Sequence, residues 1–426
     1  NITNSGKLSV TGGTTLNATG SSIILDNNAN NFSTVVANGA NVTLNDTDEI
    51  ELDTSTITGT FSVTAGGNIT DSGILTVGGG TTFNATGNDI TLDSVNNFNT
   101  VKVTSGANVT LNDTDNITLD AIDINGNLEV TATDVNVADT VNTGDNITLN
   151  PRSNTSTIAL NDATGDFTLS QTDLTRLNPE NTVIIDGNGG INKINIGLDG
   201  ALDLSSTSYN LTLNGEAVAF NNGSITLNND KTLTLNTGAI TSGTSNSDIA
   251  IGGTNGKLVL NTTADVGNII NPLSTQVSQL EVTRASGSVF VNNTGNLELG
   301  TSEINGELNL TNNGGDITNN GAVTVTGLTT VRGNNDIVLN NNNNNFTTVT
   351  VTSGNNVTLN DVDAIELGNA NITGNLNVTA NGDITDSGNL TVANGTTTLD
   401  ANGKDITLNN NNNFTTVTVT SGNNVT

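Results

Sequence analysis

Apolar side chains along this chain come in short runs broken by polar ones. Val42-Thr43-Leu44, Ile90-Thr91-Leu92, Val101-Lys102-Val103 and Leu128-Glu129-Val130 are examples. In an extended strand such a triplet puts two side chains on one face and one on the other. Asn, Gly, Asp or Ser follows nearly every triplet, and these are turn residues. The pattern predicts many short, half-buried strands with corners between them. One stretch departs from it. Ser170-Gln171-Thr172-Asp173 reads as a helix start capped by Ser170, and Leu174 and Leu177 have helical spacing. A short helical excursion is expected near 170–177, ended by Pro179.

The runs repeat. N-I-T-N-S-G-K-L-S-V at Asn1 returns as N-I-T-D-S-G-I-L-T-V at Asn68, as D-I-T-N-N-G-A-V-T-V at Asp316 and as D-I-T-D-S-G-N-L-T-V at Asp383. Ile2 thus recurs as Ile69, and Ile317 as Ile384, at a shared period of about 67 residues. About nine strand centres fall in one such unit: Ile69, Leu75–Val77, Phe83, Ile90–Leu92, Val101–Val103, Val109–Leu111, Ile117–Leu119, Ile122–Ile124 and Leu128–Val130. Strands this short, without helices between them, do not make an α/β sheet. A sandwich or barrel does not copy itself at this period, whereas a solenoid does.

The expected fold is all-β: a right-handed parallel β-helix (β-solenoid) with about three strands and about 22 residues per coil. Each strand would pair with its equivalent one coil away, and one coil alone would bury too little to be stable. Roughly 19 such coils at about 4.8 Å each are expected. Residues 1–140 form two repeat units. Residues 141–306 form a divergent β-helix carrying the helical excursion, and the units resume over 307–426. All three are expected to belong to one continuous solenoid.

Asparagine runs fit the corners. Asn340 to Asn345 precede Phe346, and Asn409 to Asn413 precede Phe414. Asn tolerates the left-handed backbone of sharp turns, and stacked Asn side chains can bond from coil to coil. Neither end reads as a polar cap, so further coils are expected on both sides within a longer polypeptide.

Composition narrows the function classes. Roughly a fifth of the residues are Asn and roughly a quarter are Ser or Thr, far above average usage. The net charge is −31, from 41 acidic and 10 basic residues. The ten basic residues are scattered from Lys7 to Lys404 without forming a patch, so nucleic acid is not an expected partner. No apolar run approaches the length that spans a bilayer. There is no Cys and no His, which removes the usual bases, nucleophile partners and transition-metal ligands. No enzyme activity is expected, and no residue is assigned as catalytic, cofactor-binding or metal-binding.

Two further chemistries are open to these residues. Asn45-Asp46-Thr47-Asp48, Asn112-Asp113-Thr114-Asp115 and Asn360-Asp361-Val362-Asp363 share one repeat position. Two carboxylates and an amide carbonyl at a turn make part of a hard-cation shell, so Ca2+ is the one cofactor to weigh; plain turn formation is the stronger reading. Thr348-Val349-Thr350-Val351-Thr352 offers a Thr-x-Thr array of the kind that orders water, although only once per unit. Sequons such as Asn17, Asn41, Asn84 and Asn108 are no more than this Asn and Thr content produces.

The middle of the chain resembles a known family. N-I-T-L-N-P-R-S-N-T-S-T-I-A-L at Asn146 and G-D-F-T-L-S-Q-T-D-L-T-R-L at Gly165 are similar to blocks of the filamentous haemagglutinin-type large exoproteins of bacteria. So are A-D-V-G-N-I-I-N-P-L at Ala264 and L-E-V-T-R-A-S-G-S-V-F-V-N-N at Leu280. The resemblance covers about two-fifths of the chain. It implies a right-handed β-helical filament, exported by a two-partner route and used for adhesion, aggregation or matrix building.

The expected function is a structural or adhesive segment of a long secreted filament at the cell surface. Its expected partners are other copies of itself or neighbouring filaments, with host or matrix ligands unknown. The alternative is a passive stalk that presents a binding or enzymatic head carried elsewhere on a longer chain.

Overall fold

Residues 1–187, 192–197, 200–243 and 247–426 are described by a computed structural model. The fold is an all-β parallel solenoid of about 21 turns. Its described residues contain 45 strands and one helix of six residues. The chain divides into two compact units, Asn1–Asn195 with Ser206–Gly215 and Ile196–Ser205 with Glu216–Thr426.

In the first unit, two long ladders of parallel strands carry the coils. One runs Ile2, Ile23, Val42, Phe61, Thr81, Val101, Leu119, Val137, each residue opposite the next. The other runs Ile50, Ile69, Ile90, Val109, Leu128, Ile147, Val183, Leu211. The second unit repeats the arrangement. Leu297, Ile317, Ile337, Val357, Leu376, Thr397 and Val417 form one ladder, and Val289, Leu308, Thr329, Val349 and Leu367 the other. The alternating triplets behave as their pattern requires. Val42 and Leu44 are buried while Thr43 between them faces outward, and the same holds for Val357, Leu359 and Thr358.

Coils in the regular parts are on average shorter than expected. Steps such as Val35 to Leu52 and Val101 to Leu119 are short, Ile2 to Ile23 is longer, and a typical coil holds about 20 residues. The nine expected strand centres all lie in strands, but in six longer ones that bend through some of the corners, such as Ile90–Ser105 and Asn116–Ile124. Asp120-Ala121 reads as a turn in sequence, yet it sits inside the strand Asn116–Ile124 as a bulge, two residues opposite the one between Val101 and Val103.

The shorter coil changes the geometry of the repeat. Four steps of the ladder carry the chain from Ile2 to Thr81, so one period of the sequence makes about three and a half coils. A given position therefore returns on the opposite ladder one repeat later. Ile2, Val42 and Phe61 lie on the first ladder, and their equivalents Ile69, Val109 and Leu128 lie on the second. The second unit alternates likewise: Val289, Leu308 and Val349 have Val357, Leu376 and Val417 as counterparts across the core. Repeat units are thus not stacked blocks of three whole coils.

The core is one coil thick. Val, Ile and Leu fill it, and Phe83 joins the two sides. Its ring meets Phe61 from the coil below and Phe98 from the coil above edge-on, both at 6.1 Å. Coils widen where the repeat diverges. In the first unit the step from Ile147 to Val183 is nearly twice the usual one, and in the second the step from Ile249 to Thr275 is also long. The expected helix is present within the wide coil, at Gln171–Arg176. Ser170 and Asp173 form a reciprocal capping box. It ends before Pro179, because Leu177–Pro179 leaves to pair with Val141–Thr143. Tyr209, fully buried, donates its hydroxyl to the main-chain oxygen of Leu174 at 2.9 Å and ties the helix down.

One recurring position breaks the apolar rule. Thr81, Thr329 and Thr397 are buried at equivalent places, and their hydroxyls have no hydrogen-bond partner. A buried hydroxyl without a partner costs free energy that an isosteric methyl does not. Thr81→Val and Thr329→Val should each stabilise the chain by about 1 kcal/mol, read as a higher thermal midpoint. Thr82→Val, on the outward face, should give no such gain.

Candidate functional site

The feature that recurs with the repeat is a polar corner built from an Asn-Asn-Phe segment and the Asn-Asp-x-Asp turn one coil on. Asn30, Asn96 and Asn344 are fully buried. The side-chain oxygen of each accepts the main-chain N–H of a strand one coil below: Leu8 at 3.0 Å, Leu75 at 2.8 Å and Val323 at 2.9 Å. Asn412 makes the same bond with Leu390 at 2.8 Å. The main-chain oxygens of the first three accept from the coil above, from Thr47, Thr114 and Val362. One residue of each asparagine run is thus a bracket between coils, buried at Asn344 and half-buried at Asn412.

The phenylalanine two residues on completes the link. The N–H groups of Phe32, Phe98 and Phe346 donate to Oδ2 of Asp46, Asp113 and Asp361 at 2.7, 2.6 and 2.7 Å. The other oxygen of each carboxylate accepts the N–H of Asp48, Asp115 or Asp363, at 3.0, 3.0 and 2.9 Å. Asp46, Asp113 and Asp361 are at most 4% exposed, whereas Asp48, Asp115 and Asp363 are exposed. The turn therefore separates the two carboxylates that the sequence pairs. The first is a staple between coils with each oxygen on a main-chain N–H, and the second faces solvent.

A second polar column runs outside. In the first unit Asn68, Asp89, Asn108 and Asn127 each accept the N–H of the next member one coil up, ending at Asn146, at 3.0 to 3.1 Å. In the second, Asn296, Asp316, Asp336, Asn356 and Asn375 do the same, ending at Thr396. The N–H of Asn356, together with the amides of Asn355 and Asn356, holds Asp336 below the usual carboxylate range. Of the sequon asparagines, Asn108 belongs to this column and Asn41 accepts from Thr60 in the next coil. Stacked amides are expected in the runs, and there Asn342 accepts from the amide of Asn360 and Asn344 from that of Asn319; the column adds a second stack, built from the single Asn or Asp before an Ile, Val or Leu strand.

Beside the corners lie shallow polar grooves. One is lined by Asn31, Phe32, Asp48, Glu49, Glu51 and Asn68, and its repeat equivalent by Asn97, Phe98, Asn99, Asp115 and Asn116. Among the described residues no three acidic side chains converge in a way that could hold a metal ion. The Thr348–Thr352 array does not continue as a flat lattice. Thr350 lies opposite Thr330 on one side, but on the other its hydroxyl stands 2.2 Å from where a side chain on Gly368 would begin.

Comparison with known proteins gives one match. The family described as "Repeats of unknown function (DUF5649)" matches residues 1–38, 39–105, 106–173, 286–353 and 354–421, well over half of the chain. All of the matched segments after the first have the period seen in the sequence, and the gap among them, 174–285, is narrower than the divergent interval expected. No curated protein and no solved structure matches.

Removing a staple leaves the buried N–H of Phe98 or its equivalent, and a part-buried N–H in the turn, without acceptors. Asp113→Ala should destabilise the first unit by about 1–3 kcal/mol, whereas Asp115→Ala should change stability by less than about 0.5 kcal/mol; urea midpoints compare them. A calcium chelator should leave the wild-type midpoint unchanged, because the main chain already occupies both oxygens of each staple. A lower midpoint on chelation would restore the cation reading.

Proposed function

This chain belongs to the family described as "Repeats of unknown function (DUF5649)", and we propose that it is a structural and adhesive segment of a long secreted filament at the cell surface. The observation that carries the reading is the alternation of the repeat between two ladders. The grooves beside Asp48 and Asp115 are repeat equivalents, so the same outer feature is presented beside different ladders one period apart. A solenoid with the same surface on two sides can be gripped from both, and weak contacts add along its length.

The likeness of the middle segments to haemagglutinin-type exoproteins supports the same reading, as does a repetitive surface of Asn, Thr and Asp. No helix among the described residues is long and apolar enough to cross a membrane. The partners proposed are other copies of the chain and neighbouring filaments.

Electron micrographs of the native material test this directly. Laterally associated filaments are expected. Isolated fibres that each end in a globular head would instead support the passive-stalk alternative.

A further inference from the structure

We propose that mild acidification tightens this solenoid, because the buried carboxyls of Asp46, Asp113 and Asp361 take up protons at their corners. The geometry sets the conditions. Each carboxyl is at most 4% exposed, lies between two coils, and has a second carboxylate two residues away in the same turn. Around Asp46, neither the strands of the coil below, Ile23–Leu25 and Asn31–Gly39, nor the one above, Phe61–Ala65, carries an ionisable residue. Asp361 is alike: Ile337–Leu339 and Asn345–Gly354 below and Leu376–Ala380 above carry none. Asp48 and Asp363 are then the charged groups facing these two staples.

Asp113 is the most buried and the most crowded. Asp115 faces it within the turn. From the wide coil above, Arg152 donates to the main-chain oxygen of Asp113 at 2.8 Å and to Oδ1 of Asn112 at 2.6 Å. Asp93, Lys102 and Glu129 belong to the packed coils but lie on outward faces or corners. Burial disfavours the charged form and outweighs the N–H donors that favour it, while the neighbouring Asp adds to the effect. Burial raises all three carboxyls, and Asp113 and Asp361 are pushed up to about 6.

The direction follows from linkage. A carboxyl whose folded value lies above its unfolded value binds its proton more tightly in the fold. Its contribution to stability is fully present below the unfolded value of 3.8 and is lost as pH rises through about 6. Stability should therefore climb as pH falls from neutral towards the unfolded range. This is opposite to the acid-labile behaviour of carboxylates held in ion pairs. The protonated carboxyl keeps an oxygen for the N–H of Phe98 or Phe346, so the coil-to-coil bond survives.

The test uses the full chain with 13C-labelled aspartate. Carboxyl resonances are followed by NMR against pH, with Asp113 and Asp361 assigned from the signals missing in Asp113→Asn and Asp361→Asn. Midpoints near pH 6 are expected, while Asp203, which Ser205 holds below the usual range, should titrate below 3.8. The wild-type thermal midpoint should rise between about pH 7.5 and about pH 5. In the triple variant Asp46→Asn, Asp113→Asn, Asp361→Asn that rise should shrink, which separates the corners from general relief of the negative charge. Carboxyl midpoints for Asp113 and Asp361 below about pH 4.5, inside the ordinary carboxylate range, would overturn the proposal. So would a wild-type midpoint that does not rise, or a folded triple variant with an undiminished rise.

Discussion

Everything in this molecule depends on one coil lying in register on the next. A coil has a core one side chain deep, and its strands have no partner within the coil itself. Its apolar side chains become dry, and its main-chain groups paired, only through the coils above and below. Alternation of Val, Ile or Leu with Thr makes the faces right but does not fix the register, because a slip by two positions preserves every face. The polar corners supply what alternation lacks. A slip would leave Asp113 away from the N–H of Phe98 and Asn96 away from that of Leu75, stranding buried polar groups. Where the repeat holds, the corners recur about once per period, so each such group of about three and a half coils carries a registration mark.

The same corners connect composition to form. A chain with few aromatic residues and much Asn and Thr looks poor in folding energy. Its asparagines, however, are not solvent filler. Some are buried brackets, as at Asn30 and Asn344. Others form the outer column, in which one side chain caps the N–H one coil away, as Asn108 does for Asn127. Short amide and carboxylate side chains suit both tasks, since they reach a neighbouring coil without filling the corner. Glycines do the complementary work where coils touch closely. A Cβ on Gly66 would stand 2.3 Å from the main-chain oxygen of Thr47 in the turn below.

Much of the fold was legible in the sequence. Alternating triplets, the turn residues after them and the long-period copy led to a parallel solenoid, and Ser170 with Asp173 marked the helix. The coil length was not legible, because turn-like residues do not always turn. Asn97-Phe98 has corner composition yet pairs as strand with Thr76-Val77, and without that face in the count the coil looks longer and the repeat looks like three whole turns. The alternation of ladders went unseen for the same reason. The staple was half visible. The paired Asp residues at 46/48, 113/115 and 361/363 stood out, but spacing cannot tell a carboxylate turned inward onto Phe32 N–H from one turned outward to a cation. The matching asparagine lay hidden within runs in which every residue looks alike.

Spin labels measure the geometry most directly. Thr43 and Ser62 face outward and are directly opposed in adjacent coils, whereas Thr43 and Thr110 are one repeat apart on different ladders. Nitroxides at Thr43 and Ser62 should stand on strands about 4.8 Å apart and show strong dipolar broadening. The pair at Thr43 and Thr110 should show none. Broadening at Thr43 and Thr110 without broadening at Thr43 and Ser62 would contradict both the coil length and the alternation on which the account rests.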